Sequence, residues 1–268
     1  VETIRNFCDR ELGKGVVECN DTPAFIVNRL LIYWLQTGLN QLLEQDISIE
    51  TADAVMGKPV GIPKTGIFGL IDLVGVDLMP HLADSLKASL PESDDYHAIA
   101  HDYPFIHHMI AAGYTGRKGA GGFFRLQKTE SGKVKQALRI DPETFDPESQ
   151  YADEVKPKLA SADAGKHGIR AVIETDDEGG RYARAVLLRT LGYAASLVGE
   201  VSDNIFAIDE AVKLGTNWKL GPFEMMDDIG PAWLVEALEA DGLDVPQFLR
   251  DVGDGTFYKI ESGHKYHF

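Results

Sequence analysis

Asn28 stands in the phrase AFIVNRLLIYWL, with apolar residues on both sides. A carboxamide carries two N–H donors and one acceptor, the set that holds a substrate carbonyl or hydroxyl. Left unpaired in an apolar setting it costs about 1–3 kcal/mol. Asn28 is therefore expected to bond protein, water or ligand, and a satisfied helix-contact amide is the plain alternative. Arg117 and Lys118 are adjacent cations in the glycine-rich GRKGAGG. Such a loop lets backbone approach an anion while a lysine adds point charge; an ordinary solvated turn is the alternative. Histidines at 97, 101, 107 and 108 raise the question of a metal, since His97 and His101 would share a helix face. No cysteine is near them and Asp94, Asp95 and Asp102 make the segment polar, so a solvated helix face is the reading and no metal site is expected. No strand-borne G-x-G-x-x-G, G-x-S-x-G, H-E-x-x-H or C-x-x-C occurs.

The elements that must position these groups are mostly helical. Residues 1–12 read as the end of a helix, and GVVEC (15–19) as a short buried strand without a partner, the remnant of an α/β domain that lies upstream. The strongest helix begins at Asp21 or Thr22, with Pro23 in its first turn, and is apolar nearly all round at first. Ser48 caps a second helix. A third carries FGLIDLVG, a fourth is expected to be interrupted at Pro80, and a fifth covers 105–112. FFRLQKTESGKVKQALRI alternates as a β-hairpin turning at Glu130, Ser131 and Gly132. Residues 141–179, rich in charge and proline, read as a linker with one short helix near 166–173.

After the linker the grammar restarts. RYARAVLLRTLGYAASLVGEV is a long helix, with Arg181 and Arg184 as a solvated stripe. IFAIDEAVKLG is a shorter helix ended by Gly215, GPFEMMDDIG opens a third, and a hairpin turns around ESG near the C-terminus. GIFGLIDLVG (66–75) and GPFEMMDDIG (221–230) share Gly, Phe, Asp and Gly at matching places. A tandem duplication accounts for the repeated order. Two copies are too few for a solenoid but suit a pseudo-dimer in which each covers the other's apolar face. Asp72 and Asp227 match across the copies and read as structural, bonding loop amides. Asn28 has no such match, its counterpart being Ala183 or Arg184.

The net charge of −16 over 268 residues disfavours nucleic acid and anionic membrane surfaces, while leaving room for a small anion at a local basic patch. No apolar run approaches the ~20 residues of a membrane-spanning helix, and the first residues lack the pattern of a signal peptide. Cys8 and Cys19 make no disulfide framework and read as small packed hydrophobes, which suits a cytoplasmic protein.

DTPAFIVNRLL, GIFGLIDLVGVD and GRKGAGGFF together resemble the C-terminal helical domain of 3-hydroxyacyl-CoA dehydrogenases, and GTNWKLGPFEMMDDIG resembles a second copy of it. The arrangement is similar to that of large bacterial fatty-acid β-oxidation proteins. The resemblance implies a mainly α fold of two tandem homologous domains, 6-phosphogluconate-dehydrogenase C-terminal-like, each followed by a β-hairpin and packed as a pseudo-dimer. It implies a division into 1–20 (remnant of an NAD-binding domain), 21–140, a linker at 141–179, and 180–268. It also implies oxidation of 3-hydroxyacyl-CoA to 3-oxoacyl-CoA with NAD held mainly by an N-terminal domain, which also supplies a His–Glu pair this stretch does not contain. Asn28 matches an asparagine that faces the substrate near the catalytic histidine, and Lys118 a lysine that reaches the dinucleotide. The family motif has Gly where Ala24 stands, and Pro-Phe-Glu where Ile67, Phe68 and Gly69 stand. The rival expectation is a non-catalytic helical assembly module.

Overall fold

The computed structural model describes residues 1–130, 132–261 and 264–267. The expected turn residues Ser131, Ser262 and Gly263 lie outside them. The chain forms two compact units, one from Val1–Leu30 with Leu191–Phe268 and one from Leu31–Thr190.

The order begins with α1 (Glu2–Asn6), continued by one π-helical turn at Phe7–Glu11. No strand forms at 15–19, which corrects the sequence expectation: a strand needs a ladder, and here the segment is pinned at its end by Asn20, whose backbone N–H donates to Val201 O at 2.9 Å and whose side chain donates to Glu200 O at 2.9 Å. Cys19 is exposed and Cys8 half-buried, so neither is a packed core residue.

Helix α2 spans Val27–Glu44. It starts later than Asp21 or Thr22 because Ala24 (φ 62°) and Phe25 (φ 54°) adopt the left-handed conformation, which a right-handed helix cannot contain. α3 (Ile49–Val55) is capped as expected, Ser48 Oγ accepting from Thr51 N at 3.1 Å. α4 (Phe68–Val74) is followed by α5 (Leu78–Ser89), which runs uninterrupted through Pro80. A proline in the first turn removes an N–H that has no helical acceptor anyway, so no break is needed there. α6 (Tyr96–Ile99) and α7 (Pro104–Ala111) lead to an antiparallel sheet in the order β1 (Phe124–Thr129), β2 (Gly132–Leu138), β3 (Tyr151–Asp153). Leu126 faces Lys135 in the β1–β2 register and Leu138 faces Tyr151 in the β2–β3 register.

The 141–179 segment is thus more structured than a linker. Besides β3 it contains α8 (Ala160–Ala164) and α9 (Ile169–Glu174), and it buries Leu159, Ile169, Val172 and Ile173. Asp177 ties its end together, accepting from Ser161 N at 2.9 Å and Gly180 N at 2.7 Å.

α10 (Glu178–Ser196) is the second long helix. α11 (Ile205–Thr216) ends not at Gly215 but at Asn217, which takes the left-handed conformation (φ 59°) that its short side chain tolerates. α12 (Pro222–Ile229), α13 (Pro231–Ala240) and α14 (Gln247–Val252) precede the antiparallel pair β4 (Tyr258–Glu261) and β5 (His264–His267).

α2 begins in the first-named unit and ends in the second; α10 does the reverse. Each unit therefore holds a piece of both helices. Within one unit the buried Arg29 donates from Nε to the Tyr193 hydroxyl at 2.5 Å and from Nη2 to Glu200 at 3.0 Å. Within the other the buried Tyr182 hydroxyl donates to Gly38 O at 2.9 Å. A Cβ at Gly38 would lie 2.3 Å from Ile67 Cδ1, so a larger residue there would have to displace that side chain.

Candidate functional site

Two carboxylates, half-buried Asp53 and buried Asp72, build the framework of the Leu31–Thr190 unit. Asp53, on α3, accepts from the backbone N–H groups of Ile67 (2.8 Å), Phe68 (2.9 Å) and Gly69 (3.0 Å), the otherwise unpaired donors at the start of α4. Asp72, on α4, accepts from Phe123 N and Phe124 N, each at 2.8 Å, and so fixes the entry to β1. Burial pushes Asp53 up to about 7 against its three backbone bonds, and pushes Asp72 up to about 6 against its two. The reading of Asp72 as a structural acceptor for loop amides agrees with this geometry.

Two glycines of GRKGAGG pack against Asp72, Gly122 on its carboxylate and Gly116 on its backbone. A Cβ at Gly122 would lie 1.9 Å from Asp72 Oδ1, and one at Gly116 (φ 94°) would lie 2.4 Å from Asp72 O. Arg117 N donates to that carbonyl at 2.8 Å. The loop N–H of Arg117 thus meets a neutral carbonyl, and the Asp72 carboxylate takes its bonds from Phe123 and Phe124 just beyond the loop.

Lys118 stands at the tip of this loop, half exposed, with Nζ 2.7 and 3.0 Å from the two Asp77 oxygens. A hydrogen bond from Lys118 holds Asp77 below the usual carboxylate range. Sequence reasoning singled out Lys118 but missed Asp77 as its partner.

Asn28 belongs to the other unit. It sits in the first turn of α2 and is exposed, next to Phe25, which is also exposed. This corrects the expectation of burial. The left-handed residues at 24 and 25 turn the chain just before the helix, and the apolar residues around Asn28 point elsewhere: Ile26 and Leu30 into the core. Among the described residues no three His, Cys, Asp or Glu side chains gather as metal ligands. His107 is bonded to Asp102 at 2.6 Å.

A cavity of about 910 Å³ opens beside the framework carboxylates. Its wall includes Asp53, Gly69, Asp72 and Phe124, with five basic side chains around them: Lys64, Arg117, Arg125, Lys135 and Lys156. Sequence reasoning found only Arg117 of these.

The second copy repeats the framework, with two backbone donors to the first aspartate in place of three. Asp209 accepts from Phe223 N (2.9 Å) and Glu224 N (3.1 Å) at the start of α12, and Asp227 accepts from Phe257 N (2.7 Å) and Tyr258 N (2.9 Å). The Phe68–Phe123 rings, edge-on at 4.9 Å, have their counterpart in Phe223–Phe257 at 5.1 Å.

Comparison with known proteins agrees with this duplication. The model of the family described as "3-hydroxyacyl-CoA dehydrogenase, C-terminal domain" matches residues 25–126 and again 180–257. A putative fatty acid oxidation complex trifunctional enzyme of Rickettsia prowazekii is 32% identical over 92% of this chain, which covers 33% of that protein. A probable 3-hydroxyacyl-CoA dehydrogenase of Bacillus subtilis is 34% identical over 98% of this chain, again covering 33% of the relative. The chain thus spans about a third of the length of these relatives. The crystal structure of 3-hydroxybutyryl-CoA dehydrogenase from Escherichia coli superposes with a TM-score of 0.58 over 94% of this chain and 64% of its own, at 19% identity, a likeness of fold. With its two matched segments, carried on a mainly helical fold, the chain belongs to the 3-hydroxyacyl-CoA dehydrogenase C-terminal domain family.

Proposed function

We propose that this chain is the C-terminal helical part of an NAD-dependent 3-hydroxyacyl-CoA dehydrogenase of fatty-acid β-oxidation, oxidising 3-hydroxyacyl-CoA to 3-oxoacyl-CoA. The observation that supports this most is the double family match in the same order as the repeated framework. Residues 21–140 and 180–268 are the two copies, arranged as a pseudo-dimer, with 141–179 joining them and 1–20 leading in from an NAD-binding domain. NAD accepts the hydride from C3 when bound, and the hydroxyl proton passes to a base outside this chain's own residues. The exposed Asn28 amide offers donors and an acceptor to the substrate thioester or hydroxyl. Lys118 fits a dinucleotide contact: its half-exposed ammonium has donors beyond those used by Asp77. No helix among the described residues is long and apolar enough to cross a membrane.

In the parent-length protein, Asn28→Ala is expected to cut turnover at least about tenfold with thermal stability almost unchanged, since an exposed side chain carries little folding energy. The 268-residue chain alone is expected to show no oxidation of NADH by acetoacetyl-CoA. Turnover by the isolated chain would overturn the reading of a partial enzyme. Full activity of the Asn28→Ala parent would instead favour a purely assembling module.

A further inference from the structure

The two copies differ at one place in their shared framework. In the second, the Glu224 side chain folds back to accept from Gly221 N at 2.8 Å and meets Lys213 Nζ at 3.1 Å. The Tyr258 hydroxyl donates to Asp209 Oδ2 at 2.8 Å, and Asp209 has no exposed surface. In the first copy Gly69 replaces Glu224 and Phe124 replaces Tyr258. Asp53, the counterpart of Asp209, is only half-buried, and the 910 Å³ cavity opens at these three residues. The cavity wall thus includes the two positions, Gly69 and Phe124, where the second copy carries the glutamate side chain and the tyrosine hydroxyl.

Its charge is as unusual as its shape. All four lining carboxylates are satisfied internally. Asp53 and Asp72 accept backbone bonds, Glu50 pairs with Arg139 at 2.7 Å, and Glu154 pairs with Lys135 at 2.5 Å. Arg125 is likewise held, by Gln136 and Pro147 O. Lys64, Arg117 and Lys156 are exposed and form no ion pair among the described residues. They come from three separate segments onto one cavity, in a chain whose net charge is −16. Leu126 and Val155, each 64% exposed, add apolar surface to the same wall.

We propose that this cavity is a binding site for an organic phosphate, whose anionic group lies among Lys64, Arg117 and Lys156 and whose body lies against Leu126, Val155 and Phe124. Three cations without a close ion pair around one concavity suit a phosphate dianion, and the guanidinium can engage two of its oxygens. The volume falls within the range of small-molecule sites. The global negative charge turns away long polyanions but leaves a small ligand to the local field.

Calorimetric titration of the 268-residue chain tests this with adenosine 5′-monophosphate, inorganic phosphate and octanoate. The nucleotide is expected to bind at micromolar to low-millimolar concentration, more tightly than inorganic phosphate, and more weakly as salt rises. The triple variant Lys64→Ala/Arg117→Ala/Lys156→Ala is expected to lose at least about tenfold in affinity. Gly69→Gln, which restores bulk at that position without adding charge, is expected to do the same. A Cβ at Gly69 meets nothing closer than 3.5 Å, so the backbone accepts the change. Absence of nucleotide binding by the unaltered chain, binding that survives both the triple variant and Gly69→Gln, or preference for octanoate over both phosphates would each overturn the proposal.

Discussion

Asp53 and Asp209 occupy matching places and hold matching helices, yet one borders a cavity and the other is sealed. Both accept from the first N–H groups of the following helix, Phe68 and Gly69 in one case, Phe223 and Glu224 in the other. What differs is the outer layer: a glutamate, a lysine and a tyrosine hydroxyl in the second copy, a glycine and a phenylalanine ring in the first. The duplication has kept the device that aims the helix and released the residues that cover it. A copy whose surroundings are complete serves packing. A copy with the cover removed has room for a ligand.

The largest difference in stability is expected at the two aspartates. Asp209→Ala leaves two backbone N–H groups and a tyrosine hydroxyl without their acceptor in a site closed to water, and should cost about 3–5 kcal/mol. Asp53→Ala strands three N–H groups beside an open cavity, where water can reach them, and should cost about 1–3 kcal/mol. Urea unfolding of the two variants measures the gap; equal losses would mean that the cavity does not solvate Asp53.

Acidity does not separate the two sites, since Asp53 is pushed up to about 7 as Asp209 is. Burial pushes Asp209 up to about 7 despite the bonds it accepts. An unfolded aspartate titrates near 3.9, so between about pH 4 and 7 the folded chain binds a proton that the unfolded chain does not. Stability from this group therefore falls as pH rises through that window and levels off above 7. Asp209→Asn should flatten the decline, seen as a smaller difference in melting temperature between pH 5 and pH 7.

Tyr258→Phe gives the second copy the ring that the first carries at Phe124. It should cost about 1 kcal/mol through the lost hydroxyl bond to Asp209, and melting curves would show it. The smallest effect belongs to Lys118→Ala. Its ion pair with Asp77 is half exposed, so stability should change by less than about 1 kcal/mol. Under the proposed function, the parent protein's KM for NAD would rise instead.

Much of this framework can be read from the residues. Asp72 and Asp227 stand at matching places in a repeated phrase, and a repeated acceptor without a repeated Asn28 points to structure. The β1–β2 hairpin alternates cleanly, and Ser48 marks its helix. Asp53 and Asp209 escape notice because their spacing to Gly66 and Gly221 differs by one residue between the copies. β3 has only three residues, too few for a period to show. The exposure of Asn28 depends on left-handed backbone at Ala24 and Phe25, where neither residue type advertises it. Helical periodicity finds the apolar residues but not which of them a preceding turn directs outward. The cavity depends on side chains that are missing relative to the other copy, so it becomes visible only once the two are laid side by side.

The sharing of α2 and α10 between the units bears on how such a chain can evolve. Gly38 accepts from Tyr182, and Arg29 donates to Tyr193. Every one of these bonds joins a residue of one copy to a residue of the other. A recombination event that exchanged a single repeat would have to import matching tyrosines with it. The halves are therefore obliged to drift as a pair, even while one of them gives up its cover.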